Sequence, residues 1–74
     1  MEVIVRATSH LAETIPASGR VVLEEGSRVG DLLESLGVNS DLIMLIVIDG
    51  SLGDLDTPLK DGSKVELIPP VSGG

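Results

Sequence analysis

One apolar stripe at helical spacing, bracketed on both sides by short β-type segments, narrows what this chain can become. Val29, Leu32, Leu33 and Leu36 fall at i, i+3, i+4 and i+7, one face of a 3.6-residue period. Ser27 is the expected N-cap, its hydroxyl placed to accept from an orphan backbone N–H of the first turn. Asp31 stands near the positive end of the helix dipole, and Gly37 supplies the left-handed position that stops the helix. Gly30 inside the first turn weakens the helix by about 1 kcal/mol relative to Ala, and its missing side chain leaves room for another backbone. A helix of about ten residues with one buried face needs a sheet to lie on.

The flanking segments supply that sheet. Met1 to Ala7, with Val3 and Val5 alternating against Glu2, Ile4 and Arg6, reads as a first strand. Thr8 to Thr14 is open between a short helical turn capped by Ser9 and an irregular extension. Pro16-Ala17-Ser18-Gly19 is turn chemistry. Val21, Val22 and Leu23 form a second strand, antiparallel to the first across a wide connection. Leu42 to Ile48, seven apolar residues, is too short for a globular helix and rich in β-branched side chains. It is expected to be a central strand buried on both faces. Asp49-Gly50 is a tight-turn signal, Leu52 to Leu55 a short link or edge strand, and Asp56 to Leu59 with Asp61-Gly62 mark further turns. Val65 and Leu67 alternate with Lys64, Glu66 and Ile68 in a last strand that runs into Pro69-Pro70.

The order strand, strand, helix, strand, short strand, strand predicts an α+β fold. One main helix packs across a mixed four- to five-stranded sheet, the ubiquitin-like β-grasp arrangement. Residues 1–68 form the β-grasp domain, and 69–74 are expected to be a flexible, extended C-terminal Gly-Gly tail.

Composition removes several functions. Among 74 residues there is no cysteine, so neither a disulfide nor a Cys-based zinc site exists. A hydrophobic fraction of 42% without any aromatic places the core on Val, Ile and Leu. The net charge of −7, from 12 acidic and 5 basic residues, provides no basic stripe for nucleic acid. It suits solubility and a basic docking face on a protein partner. No apolar run approaches the roughly 18 residues of a membrane span, and no secretory leader is evident. The simplest expectation is a soluble cytoplasmic protein with neither a membrane nor a nucleic-acid partner.

Side chains suited to catalysis are not gathered into any recognisable constellation. His10 stands without an obvious fixed partner and receives no role. Asp54, Asp56 and Asp61 sit in turn sequences, where Asp bonds to local backbone. They lack the graded ligand set of a calcium loop. No glycine-rich segment is followed by the Lys-Ser/Thr of a phosphate loop. The expected catalytic and metal sets are therefore empty, and the chain is expected to bind no cofactor of its own.

What remains is the end of the sequence, Pro69-Pro70-Val71-Ser72-Gly73-Gly74. The two prolines fix φ near −65° and bias Ile68 toward extended geometry, so the tail is expected to project from the last strand as an arm. Without Cβ atoms, Gly73 and Gly74 can thread a narrow tunnel. Read as the chain terminus, Gly74 carries a carboxylate there. By itself the tail fits either a reacting group or a loose end.

The run from Asp56 to Gly74, with Leu59-x-Asp61-Gly62-x-x-Val65 followed by a short strand and Pro69-Pro70-Val71-x-Gly73-Gly74, decides between them. It resembles the end of the sulfur-carrier family that includes the molybdopterin synthase small subunit (MoaD-type) and the thiamine-pathway carrier (ThiS-type). Val29 to Gly37 also resembles the family's helix. The resemblance implies that a ubiquitin-activating-type adenylyltransferase uses ATP and magnesium to adenylate Gly74. A persulfide donor then leaves a C-terminal thiocarboxylate. Pro69, Pro70, Val71, Ser72 and Gly73 would lie in the partner's tunnel. The proline pair and the roughly 26 residues before the helix favour the MoaD type, hence sulfur donation for molybdopterin (molybdenum cofactor) biosynthesis. The large subunit of molybdopterin synthase would then be a partner, and this chain its non-catalytic small subunit. The same tail would serve thiamine biosynthesis, tRNA thiolation, or conjugation to a target lysine through Gly74. A non-covalent β-grasp interaction module is a further alternative.

Overall fold

The computed structural model describes residues 1–70. Strand β1 (Glu2–Ala7) pairs antiparallel with β2 (Arg20–Val22), and a 3-10 helix over Ser9–Thr14 occupies part of the wide connection. Helix α1 (Val29–Leu36) and a short 3-10 turn, Ser40–Leu42, lead to β3 (Leu45–Ile48). Strands β4 (Ser51–Gly53) and β5 (Lys64–Ile68) complete a five-stranded sheet in the order β2-β1-β5-β3-β4. The last strand in sequence is thus the central one, parallel to β1 and antiparallel to β3. Because β1 opposes both β2 and β3, these two run parallel, and β2–α1–β3 is the expected crossover. One main helix on a mixed sheet is the β-grasp fold.

The core is a single cluster between α1 and one face of the sheet. Val3 and Val5 of β1, Val65 and Leu67 of β5, and Val29 and Leu32 of α1 are each at most 2% exposed. The pleat delivers them together: register sets Val5 beside Val65, Ala7 beside Leu67, and Leu67 beside Ile46.

The helix begins differently from its sequence reading. Arg28, not Ser27, is the N-cap residue, and its backbone N–H donates to the Asp31 carboxylate at 2.8 Å. The Ser27 hydroxyl instead donates to the Glu24 carbonyl at 2.7 Å. Asp31, three residues into the helix, reaches back to the cap and leaves Ser27 free to close the preceding turn. Two further donors of the first turn are met from outside the helix. Val29 N–H donates to the Thr57 carbonyl at 3.0 Å and Gly30 N–H to the Leu55 carbonyl at 2.9 Å. The room expected at Gly30 is used by that approach, since a Cβ there would lie 3.4 Å from the Leu55 oxygen. The other end closes as predicted. Gly37 has φ 73°, its N–H donates to the Glu34 carbonyl, and Val38 N–H donates to Leu33, a Schellman arrangement.

The apolar run Leu42 to Ile48 is not a central strand buried on both faces. Leu42 belongs to the 3-10 turn, Met44 is 62% exposed, and only Ile46 and Ile48 of β3 enter the core. Beside β3 lies the edge strand β4, and one helix can cover one sheet face only. The turn after it is as expected: Asp49 and Gly50 have φ of 50° and 86°, the signs a two-residue type I′ hairpin requires.

The Leu-x-Asp-Gly-x-x-Val stretch acts as a clasp between the first and last strands. Leu59 and Val65 are buried on either side of it. The Asp61 carboxylate accepts from Glu2 N–H at 2.7 Å, while Gly62 N–H donates to the Glu2 carbonyl at 2.8 Å. Ser63, the buried polar residue of the core, accepts from Lys60 N–H through its hydroxyl and from Ile4 N–H through its carbonyl. These bonds set the parallel β1–β5 register before the tail is reached.

Candidate functional site

Strand β5 ends at the proline stem, and the ladder shows why. Ile68 pairs with Leu45, and its carbonyl accepts from Met44 N–H at 2.7 Å. Pro69 has no N–H to continue the pairing, so the sheet stops there. Pro69 is half-buried and Pro70 exposed. The stem therefore leaves from the central strand, which neighbouring strands flank on both sides. Of the tail residues singled out in the sequence, Val71, Ser72, Gly73 and Gly74 lie outside the described residues.

Two surfaces border the stem. The first is the sheet face that α1 does not cover. Register places Glu66, Val47 and Leu52 in one row and Ile68 beside Leu45 in the next. Leu45 is 43% and Leu52 73% exposed, so an apolar strip runs from the stem across β3 to the edge strand. The second is a groove of about 560 Å3 at the stem's root, floored by Leu11, Leu42, Ile68 and both prolines, with His10 and Asp41 in its lining.

Sequence reasoning misses Leu42 and Leu45 of these surfaces because the run Leu42 to Ile48 reads as a strand buried on both faces. One signal was available: Asn39-Ser40-Asp41 is helix-start chemistry, and the Asn39 side chain does accept from Asp41 N–H at 2.9 Å. That turn removes Leu42 from the strand and leaves it at the surface.

Of the turn aspartates, Asp54 and Asp61 hold backbone as expected, whereas Asp56 accepts no hydrogen bond among the described residues. Asp54 accepts from Asp56 N–H at 2.8 Å and Asp49 from Lys64 N–H at 2.9 Å. Among the described residues no three His, Asp or Glu side chains are placed to share a metal ion, and no helix is long and apolar enough to cross a membrane.

One helix across a mixed five-stranded sheet, with the central strand feeding a proline stem, is a ubiquitin-like β-grasp domain. The sequence model of the ThiS family matches residues 8–74, and the chain belongs to the ThiS family. Among solved structures it is similar to SAMP1 from Haloferax volcanii, with 25% identity and a TM-score of 0.78 over the whole of both chains. A protein assigned as subunit 1 of the molybdopterin converting factor from Pyrococcus furiosus shares 26% identity at a TM-score of 0.75, over 96% of this chain and 99% of that one. A complex of subunits 1 and 2 of the molybdopterin-converting factor from Helicobacter pylori contains a chain 29% identical, with a TM-score of 0.60 over the whole of both chains. A threonine–tRNA ligase from Citrifermentans bemidjiense matches at 39% identity over 56 residues, 74% of this chain. The chain spans only 9% of the length of that curated relative.

Proposed function

We infer that this chain is a sulfur carrier, with Gly74 supplying the reacting carboxylate and molybdopterin as the recipient of the sulfur. The observation that carries the reading is the direct passage of the central strand β5 into Pro69-Pro70, at the end of a ThiS-family domain. A stem that leaves the central strand starts from a fixed point relative to any surface that docks on the sheet.

The chemistry follows from the carboxylate's weakness as an electrophile. A carboxylate oxygen attacks the α-phosphate of ATP on an activating enzyme, pyrophosphate departs, and an acyl-adenylate forms. The terminal sulfur of a persulfide then attacks the acyl carbon and AMP leaves. A thiol cleaves the resulting acyl persulfide, becoming a disulfide with the donor sulfur and releasing the thiocarboxylate. Glycine leaves the acyl carbon unhindered on both approaches. The carrier contributes reach and docking; ATP, magnesium and catalysis belong to the partner.

The uncovered sheet face is the docking surface for that partner, because the apolar strip from Leu45 beside the stem to Leu52 on the edge strand gains from burial. Similarity to subunit 1 chains of molybdopterin converting factors, one of them in complex with subunit 2, supports molybdopterin as the destination and a large synthase subunit as a second partner. Similarity to SAMP1 favours a second reading, in which the adenylated Gly74 is transferred to a lysine of a target protein.

Variants at the tail test the reading. Removing Gly74, or adding one residue after it, should abolish ATP–pyrophosphate exchange with the activating enzyme while circular dichroism and melting stay unchanged. Normal exchange by the extended chain would contradict it. Covalent ladders on cellular proteins that depend on Gly74, without any thiocarboxylate, would favour the modifier.

A further inference from the structure

The groove at the root of the stem has no part in the chemistry above, yet it shares its wall with the tail. It lies where β1 and β5 leave the sheet and where the 3-10 turn leads into β3. Three observations single it out. Its floor is apolar but unfilled, and Leu42 is 55% exposed. Asp41 at its border is exposed and, among the described residues, its carboxylate accepts no hydrogen bond and joins no ion pair, whereas Asp31, Asp49, Asp54 and Asp61 all accept from backbone N–H groups. Ser9 at its mouth holds φ of 56°, a left-handed conformation that is unfavourable for a non-glycine residue and recurs at functional sites.

The geometry points to this groove as the seat of a short segment of the activating partner, one that lays apolar side chains on Leu42 and Pro70 and directs an arginine or lysine at Asp41. This rests on the carrier reading, which it deepens by naming the partner's chemistry. Continuity argues for this occupant: Pro69 and Pro70 are both groove wall and tail stem, so a protein that holds the stem also meets the groove wall. Charge complementarity argues for it as well. What sets Asp41 apart is its place at an apolar groove: an exposed carboxylate there, on a chain of net charge −7, attracts a cation, and the aliphatic stem of Arg or Lys suits the apolar floor. His10 is the other titratable group of the lining.

The test is ATP–pyrophosphate exchange with the ubiquitin-activating-type enzyme of the same organism, titrating the carrier. Asp41→Lys should raise KM for the carrier about tenfold with kcat unchanged, and Asp41→Asn about threefold. Leu42→Ser should raise it comparably, and the Asp41 effect should shrink in high salt. Glu13→Lys is the control: the same charge change, exposed on the neighbouring 3-10 helix but outside the groove. Equal KM values for Asp41→Lys and Glu13→Lys would overturn the inference while leaving the carrier reading intact. A change in self-association by sedimentation, with KM unaltered, would assign the groove to a second copy and also overturn it. Absence of exchange by the unaltered chain would remove both.

Discussion

The two faces of the sheet are made by the same five strands and could hardly be more different. On the inner face Val3, Val5, Val65 and Leu67 are each at most 2% exposed beneath the helix. On the outer face Leu45 and Leu52 stand in water, on the same face as the exposed charged residues Arg6, Lys64 and Glu66. With only one helix to cover it, the sheet keeps its stability on one side and leaves apolar surface on the other, next to the stem. Under the carrier reading proposed above, these exposed side chains are where the activating partner docks.

Substitutions on the two faces separate these roles. The largest effect is expected at the centre of the inner face. Leu67→Ala should lower stability by about 3 kcal/mol, read from chemical denaturation, because the cavity opens beneath the helix where nothing can collapse into it. A loss as small as that of an outer-face substitution would break the contrast. Next comes Gly53 in the edge strand, where a Cβ would lie 2.6 Å from Ile48 Cδ1 and 3.0 Å from the Thr57 hydroxyl. Gly53→Ala should cost about 1 kcal/mol by the same measurement, since the terminal methyl of Ile48 must rotate aside and the Thr57 hydroxyl, which accepts from Asp54 N–H, must give way. Smallest in stability, and largest in docking, is Leu52→Asp. Unfolding should shift by less than about 0.5 kcal/mol, as for other exposed positions, while KM for the carrier in ATP–pyrophosphate exchange should rise at least about tenfold. Unimpaired exchange would show that the outer face does not meet the activating enzyme.

Much of this was legible in the sequence for physical reasons that can be named. The α1 stripe, Gly37 and the alternation of Val65 and Leu67 are local patterns, and each occupies its expected place. Ser27 misled because capping depends on which side chain wins the first N–H groups, and Asp31 supplied the return bond from within the helix. Leu42 to Ile48 misled because an apolar run states only that burial is available. Whether one or two faces are covered depends on how many helices the chain can afford and on strand order, which places β5 rather than β3 at the centre. The tail was legible as a motif because Pro and Gly act through their own geometry. The surfaces around it were not, since they are assembled from residues distant in sequence, such as Leu11, Leu42 and Ile68.

The central claim concerns one atom at the end of the chain. Intact-mass spectrometry of the protein isolated from its own cells, under conditions that preserve acyl–sulfur bonds, measures it directly. The account predicts a species ending at Gly74 that is heavier by about 16 Da, sulfur in place of oxygen, and lost on mild hydrolysis. A chain that continues beyond Gly74, or one found only with an ordinary carboxylate while its activating enzyme and persulfide donor are active, would contradict it.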